Sequence, residues 1–190
     1  MLKLDDCLDP RVLAAMATIP RQRFVAPEHQ AEAERDCALP IAAGQTISQP
    51  SLVARMLALL RVQAGDAVLD VGCGSGYVAA LLAQLGGRVV ALERHMELVE
   101  RARPLLAEFA PSVDLRLADG LAGASDAAPF AAIHVAAACP NVPPALLDQL
   151  AHGGRLVLPL GDYAAEQELV LIEKLADGSL RRSTHGPVRF

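Results

Sequence analysis

Apolar positions along this chain change their period several times. Asp9-Pro10 pairs a capping acid with a proline suited to a first helical turn, and Val12, Leu13 and Met16 then mark one helical face up to Ile19-Pro20. From residue 20 to residue 50 the period is lost. Prolines 20, 27, 40 and 50 favour extended or turn backbone there, while Phe24, Leu39 and Ile41 can anchor the stretch as an irregular lobe. A second helix is predicted from near Ser48-Gln49-Pro50, because Leu52, Val53, Met56, Leu57 and Leu60 recur at helical spacing.

Strand and helix then alternate. Strands are predicted at Ala67 to Val71, Arg88 to Leu92, Val113 to Leu117, Ile133 to Ala137 and Arg155 to Leu160. Helices are predicted at Tyr77 to Leu85, stopped by Gly86-Gly87, at Met96 to Phe109 and at Pro143 to Leu150. Alternation of this kind implies right-handed crossovers and a mainly parallel sheet covered by helices on both faces. The end differs: Glu168 to Lys174 and Leu180 to Thr184 flank Asp177-Gly178, a hairpin turn. The expected fold is α/β and doubly wound, a mainly parallel sheet with antiparallel C-terminal strands. It is expected to form one domain over residues 1–190, with a small N-terminal lobe (1–50) and a core (51–190).

Composition narrows the function. Hydrophobic residues make up 53%, which excludes a disordered chain. Aromatic residues are only 3% and the net charge is -5, so neither a base-stacking platform nor a general polyanion-binding surface is expected. Cys7, Cys37, Cys73 and Cys139 are too scattered for a zinc site or a compact disulfide framework. The five histidines lack metal-ligand spacing and obvious partner acids, and His134, inside a predicted strand, reads as a satisfied core or edge residue. Cys73, Cys139, Met56 and Met96 read as packing residues. No signal-peptide core and no apolar run of membrane length is visible, so a cytoplasmic location without membrane contact is expected, as is a monomer.

The sharpest feature is Asp70-Val71-Gly72-Cys73-Gly74-Ser75-Gly76-Tyr77, which ends the first strand of the alternating region and opens a helix. Ligands of doubly wound sheets bind at the carboxyl ends of the strands, and glycine lets them approach the backbone. Tyr77 stands where a dinucleotide fingerprint needs its last glycine, no Gly-Lys-Ser/Thr ending marks a P-loop, and Ser75 lacks the glycines of a nucleophile elbow. The tight loop preceded by an acid suits S-adenosylmethionine, with Gly72, Gly74, Ser75 and Gly76 around it and Asp70 towards its amino-acid end. Glu93, ending the second strand, can accept the ribose hydroxyls, although Glu93 alone does not separate this cofactor from a nicotinamide dinucleotide. Asp119-Gly120, after the third strand, can meet the adenine edge.

Pro40-Ile41-Ala42-Ala43-Gly44-Gln45-Thr46-Ile47-Ser48-Gln49-Pro50, followed by the glycine loop, resembles the protein-L-isoaspartate O-methyltransferase family. The similarity extends from about residue 10 to the end, through Ile19-Pro20-Arg21, Glu93-Arg94, Asp119-Gly120, Val142-Pro143, Gly153-Gly154 and Gln167. The resemblance implies a Rossmann-like methyltransferase that repairs damaged proteins. It would methylate the free α-carboxyl of an L-isoaspartyl residue, giving an ester that collapses to a succinimide. It also implies that Ser48 is the active-site serine and that Gly44, Gln45, Thr46 and Ile47 form a loop over cofactor and substrate. Ser48 can equally cap the helix starting at Pro50. Glu34, Ala42, Ala118, Ala131 and Ala136 depart from the family's usual residues, with Ala42 expected to stiffen the covering loop, and the chain ends earlier than the family pattern. These departures leave an alternative: a relative that binds S-adenosylmethionine but methylates another substrate, or serves as a cofactor-binding regulatory module.

Overall fold

In the computed structural model the described residues are 9–162 and 164–190, so Cys7 and the Met1 to Asp6 start lie outside them. Helix α1 spans Pro10–Thr18, and Asp9 caps it by accepting the Arg11 N–H at 2.9 Å. Residues 20–48 form the lobe. It holds three short 3-10 turns (Arg21–Phe24, Pro27–Glu32 and Ala42–Gly44), the last of them joining a minimal hairpin of β1 (Leu39–Pro40) with β2 (Thr46–Ile47). Phe24 and Leu39 are buried as expected, and Ile41 packs partly against the same core. Helix α2 follows at Pro50–Leu60.

The core is a seven-stranded sheet made by β3 (Ala67–Val71), β4 (Arg88–Glu93), β5 (Asp114–Leu117), β6 (Phe130–Val135), β7 (Leu150–Leu160), β8 (Gln167–Lys174) and β9 (Leu180–Val188). Their order is β5-β4-β3-β6-β7-β8-β9. The first five run parallel; β8 and β9 are each antiparallel to the neighbour before them. Helices α3 (Tyr77–Gln84), α4 (Met96–Phe109) and α5 (Pro144–Asp148) make the crossovers.

Both sheet faces are buried at the central strands β3, β4 and β6, and the strand residues alternate between them. Val68, Val89, Ala91, Ala132 and Val157 join α1, α2, α3 and the lobe in one cluster. Leu69, Val90, Leu92, Ile133 and Leu156 join α5 in the other. A strand buried on both faces reads as a continuous apolar run, which is why β3 and β4 were legible.

Some boundaries differ from those expected. Strand β6 begins three residues early at Phe130 and stops at Val135, because it pairs with the unanticipated first part of β7 at Leu150. That early start of β7 also cuts α5 short at Asp148. Met96 is exposed rather than a core residue: at the first position of α4 it points away from the face that buries Leu98, Val99 and Ala102.

Candidate active site

Strand order reverses between β3 and β6, so the crevice opens at their carboxyl ends. The glycine loop lies there. Gly72, Gly74 and Gly76 have φ of 75°, 56° and 87°, a region that side chains other than glycine rarely adopt. Gly76 also starts α3 against α4, where a Cβ would sit 3.1 Å from Leu106 Cγ.

Glu93 is buried at the end of β4 and holds this loop from behind. Its carboxylate accepts the Gly74 N–H at 3.0 Å and the His95 N–H at 2.9 Å. A carboxylate has about four lone-pair sites. Two remain for a ligand.

Asp70 lies one layer deeper. It is 0% exposed and its Oδ1 is 2.7 Å from His134 Nδ1, with His134 itself 2% exposed. The other oxygen, Oδ2, has no partner among the described residues. His134 is thus a satisfied core histidine, as expected, and the partner acid that spacing did not reveal is Asp70. The two residues are 64 positions apart, but the parallel β3–β6 register sets them side by side. Cys73 is buried beside both carboxylates. Burial, then Asp70 and Glu93, push its thiol well above the ordinary range, so it stays neutral. Cys139 is likewise buried and raised by burial. Both cysteines behave as small apolar fillers.

Asp119 follows β5 and caps the turn Gly120–Ala122 by accepting the Leu121 N–H at 3.1 Å. Gly120 is required by packing: a Cβ there would lie 2.3 Å from Val71 Cγ1. Gln149, buried, ties the next residues down by accepting the Ala124 N–H and donating to Ala122 O. Ser75 is nearly buried and borders a small cavity of about 160 Å³ with Phe24, Ile41, Leu98 and Leu105.

The β1–β2 hairpin brings Gln45, Thr46 and Ser48 to this end of the sheet. Ile41 Cδ1 comes within 3.4 Å of the place a Gly74 Cβ would take, so the hairpin lies on the glycine loop. Gln45 and Thr46 are exposed and Ser48 half-buried. Ser48 is not the helix cap. Gln49 occupies the N-cap position of α2 without capping it, and Asp36 accepts the Ser51 N–H instead, at 2.9 Å. The Ser48 hydroxyl has no hydrogen bond among the described residues, since Asp36 has taken the capping role.

Of the departures from the family pattern, Ala118 and Ala136 donate their backbone N–H groups to Glu93 O and Val71 O, and Ala118 also packs against the core. Glu34 is exposed. The strained position in the covering loop is Ala43, at φ 56°, rather than Ala42.

Arg21, of the Ile19-Pro20-Arg21 stretch, has a role that the sequence does not signal. It is buried, and its guanidinium donates to Ala33 O, to Cys37 O at 3.1 Å and to Ser48 O at 3.1 Å. Burial lowers its pKa, with Tyr77 acting the other way. A lone arginine in an irregular stretch carries no sequence signal for such a staple. Gln167 is similar: it donates to Asp162 O and Ala165 O and accepts the Phe190 N–H at 2.9 Å.

The family model for protein-L-isoaspartate(D-aspartate) O-methyltransferase matches residues 3–190. The chain belongs to this family. A protein-L-isoaspartate O-methyltransferase of Anaeromyxobacter dehalogenans is 50% identical over 96% of this chain and 88% of its own length. One of Methylorubrum populi is 48% identical over 96% and 85%. This chain spans only 59% of the length of a Burkholderia mallei relative that is 48% identical to it. A solved protein-L-isoaspartate O-methyltransferase superposes with a TM-score of 0.86 at 27% identity, over 96% of this chain and 61% of that one. A Plasmodium falciparum structure of the same description, in complex with S-adenosyl-L-homocysteine, gives 0.83 at 24% identity, over 98% and 90%, and supports the fold. Within the described residues no helix is long and apolar enough to cross a membrane.

Proposed function

We propose that this chain transfers a methyl group from S-adenosylmethionine to the free α-carboxyl of an L-isoaspartyl residue in damaged polypeptides. The observation that carries the reading is the chemistry of the crevice. Its thiols are buried and held neutral, its one buried histidine is engaged with Asp70, and the Ser48 hydroxyl, just after β2, makes no hydrogen bond among the described residues. Such a site suits an acceptor that needs neither a base nor a nucleophile. An α-carboxyl titrates near 3.5 and is already an anion at neutral pH.

The residues fit the cofactor. Asp70 and Glu93 make the floor electronegative, Asp70 keeps one buried oxygen without a partner, and the glycines leave room for close approach. When bound, S-adenosylmethionine supplies an electrophilic methyl on a cationic sulfur. Gly72, Gly74, Ser75 and Gly76 would hold its amino-acid and ribose portions. Glu93 would accept the ribose hydroxyls with its remaining lone pairs, and Asp119-Gly120 would border the adenine.

Ser48 would donate to one oxygen of the substrate carboxylate and aim the other at the methyl. Gln45 and Thr46, on the hairpin's outer strand and turn, would hold the substrate backbone. The lobe at residues 20–48 would thus cover the core and exclude water. Positioning and desolvation are the whole of the protein's contribution, and well-oriented placement alone can supply roughly 7–11 kcal/mol of barrier lowering.

The test is incubation with S-adenosylmethionine and an isoaspartyl peptide beside its aspartyl twin, followed by mass spectrometry for methyl ester and succinimide. Modification of the isoaspartyl peptide alone is expected. Modification of neither, with the cofactor shown to bind by calorimetry, would refute the reading in favour of a changed substrate or a regulatory role.

A further inference from the structure

A second cleft, of about 1280 Å³, is lined by no residue of the glycine loop. It runs along the outer face of α2 and over the part of β8 and β9 that α2, which packs on β6 and β7, leaves uncovered. Six arginines border it: Arg11, Arg55, Arg61, Arg155, Arg181 and Arg189. They face four carboxylates, those of Asp9, Asp36, Glu166 and Glu173. In a chain of net charge -5 this is a local reversal of sign.

Most of the acid is already committed. Asp9 is 2.6 Å from Arg11. Glu173 is shared, with Arg155 at 2.7 Å and Arg181 at 2.8 Å. Asp36 is engaged with the backbone of α2. Arg55, Arg61 and Arg189 make no ion pair among the described residues, and Arg55 Nε is buried without a partner. The cations also crowd one another: Arg155 is lowered first by burial, and Arg61 and Arg181 add to the lowering against the pull of Glu173. An assembly of like charges that is neither paired nor dispersed is costly by itself and is relieved by an anion.

The cleft reaches the proposed catalytic end. Gln49 and Ser51, on either side of Pro50 and directly after Ser48, line it, and so does Arg189 beside the C-terminal Phe190. Its volume exceeds the roughly 300–1000 Å³ of small-molecule sites. Its open, elongated form suits an extended chain.

Resting on the proposed function, we infer that this cleft is an exosite that binds an acidic stretch of the polypeptide substrate flanking the isoaspartyl residue. Damaged chains rich in aspartate and glutamate are therefore bound in preference to neutral ones. The discrimination lies in KM, because the arginines do not touch the reacting carboxylate. Exposed ion pairs are individually worth a factor of a few, so three guanidiniums together give about a tenfold preference at low salt.

The experiment compares two isoaspartyl peptides of equal length, one flanked by glutamates and one by glutamines, on the intact chain and on the variant Arg55→Gln/Arg61→Gln/Arg189→Gln. The expected result is a KM about tenfold lower for the glutamate peptide, with equal kcat. The advantage should vanish in the variant and at raised ionic strength, while turnover of the glutamine peptide is unchanged. Equal KM values in the parent chain, or an advantage that survives in the variant, overturn the inference. A labelled glutamate-rich peptide without isoaspartate separates this inference from the reading of the reaction. Saturable, salt-sensitive anisotropy lost in the variant supports the exosite even if neither peptide is methylated, and its absence overturns it.

Discussion

The Asp70–His134 pair gives the sharpest quantitative expectation. Replacing His134 by leucine keeps most of the volume and removes the only hydrogen-bonding partner, among the described residues, of a carboxylate that is 0% exposed. The second oxygen has no partner to compensate. Breaking a buried pair from one side costs about 3–5 kcal/mol, much of it the desolvation of the group left behind. For a chain of this length each kcal/mol lowers Tm by roughly 2–4 °C, so His134→Leu should melt about 6–20 °C lower. Thermal and urea unfolding measure it. A cycle with Asp70→Ala isolates the coupling, because the double variant has no orphaned charge and should lose less than the sum of the singles by about 0.5–3 kcal/mol. A loss below about 1 kcal/mol for His134→Leu, or a strictly additive cycle, would show that the carboxylate finds another partner and that the reasoning fails.

Two further outcomes follow from the same geometry. Gly120→Ala drives a methyl into Val71 Cγ1 and should cost about 1–3 kcal/mol in urea unfolding; adding Val71→Ala should restore part of it, and no rescue would mean that the turn and not the contact sets the cost. Burial pushes the Tyr77 hydroxyl up to about 12 from its usual 10. The folded state therefore holds this proton more tightly than the unfolded one. Its contribution to stability is complete below pH 10 and is lost as pH rises from 10 to 12. An ultraviolet phenolate titration should show a late phase that Tyr77→Phe removes; an intact late phase in that variant would place the high-titrating tyrosine elsewhere.

Much of the fold was readable because the parallel strands carry long apolar runs and the helices keep a clean period. The glycine loop was equally plain, since a tight turn between strand and helix constrains residue type locally. Non-local facts were hidden. His134 meets Asp70 only through strand register, Arg21 meets three carbonyls only once the lobe is folded, and the early start of β7 depends on the partner strand β6. Ser48 shows both sides. The motif drew attention to the residue, but only the structure reveals that Asp36 has relieved it of capping duty and left its hydroxyl free.

That cap has a mechanical consequence. Asp36 holds the start of α2, Arg21 holds Ser48 O, and Arg23 reaches Glu108 on α4 at 2.7 Å, while Phe24 rests on Tyr77 and Phe109. The lobe is tied to the core at several points. The exposed tip, residues 43–46, is held within the hairpin by the Ile41 N–H to Gln45 O and the Gln45 N–H to Ala42 O, while Ala42 itself is half-buried. Within that tip the backbone strain falls on a single residue, the left-handed Ala43.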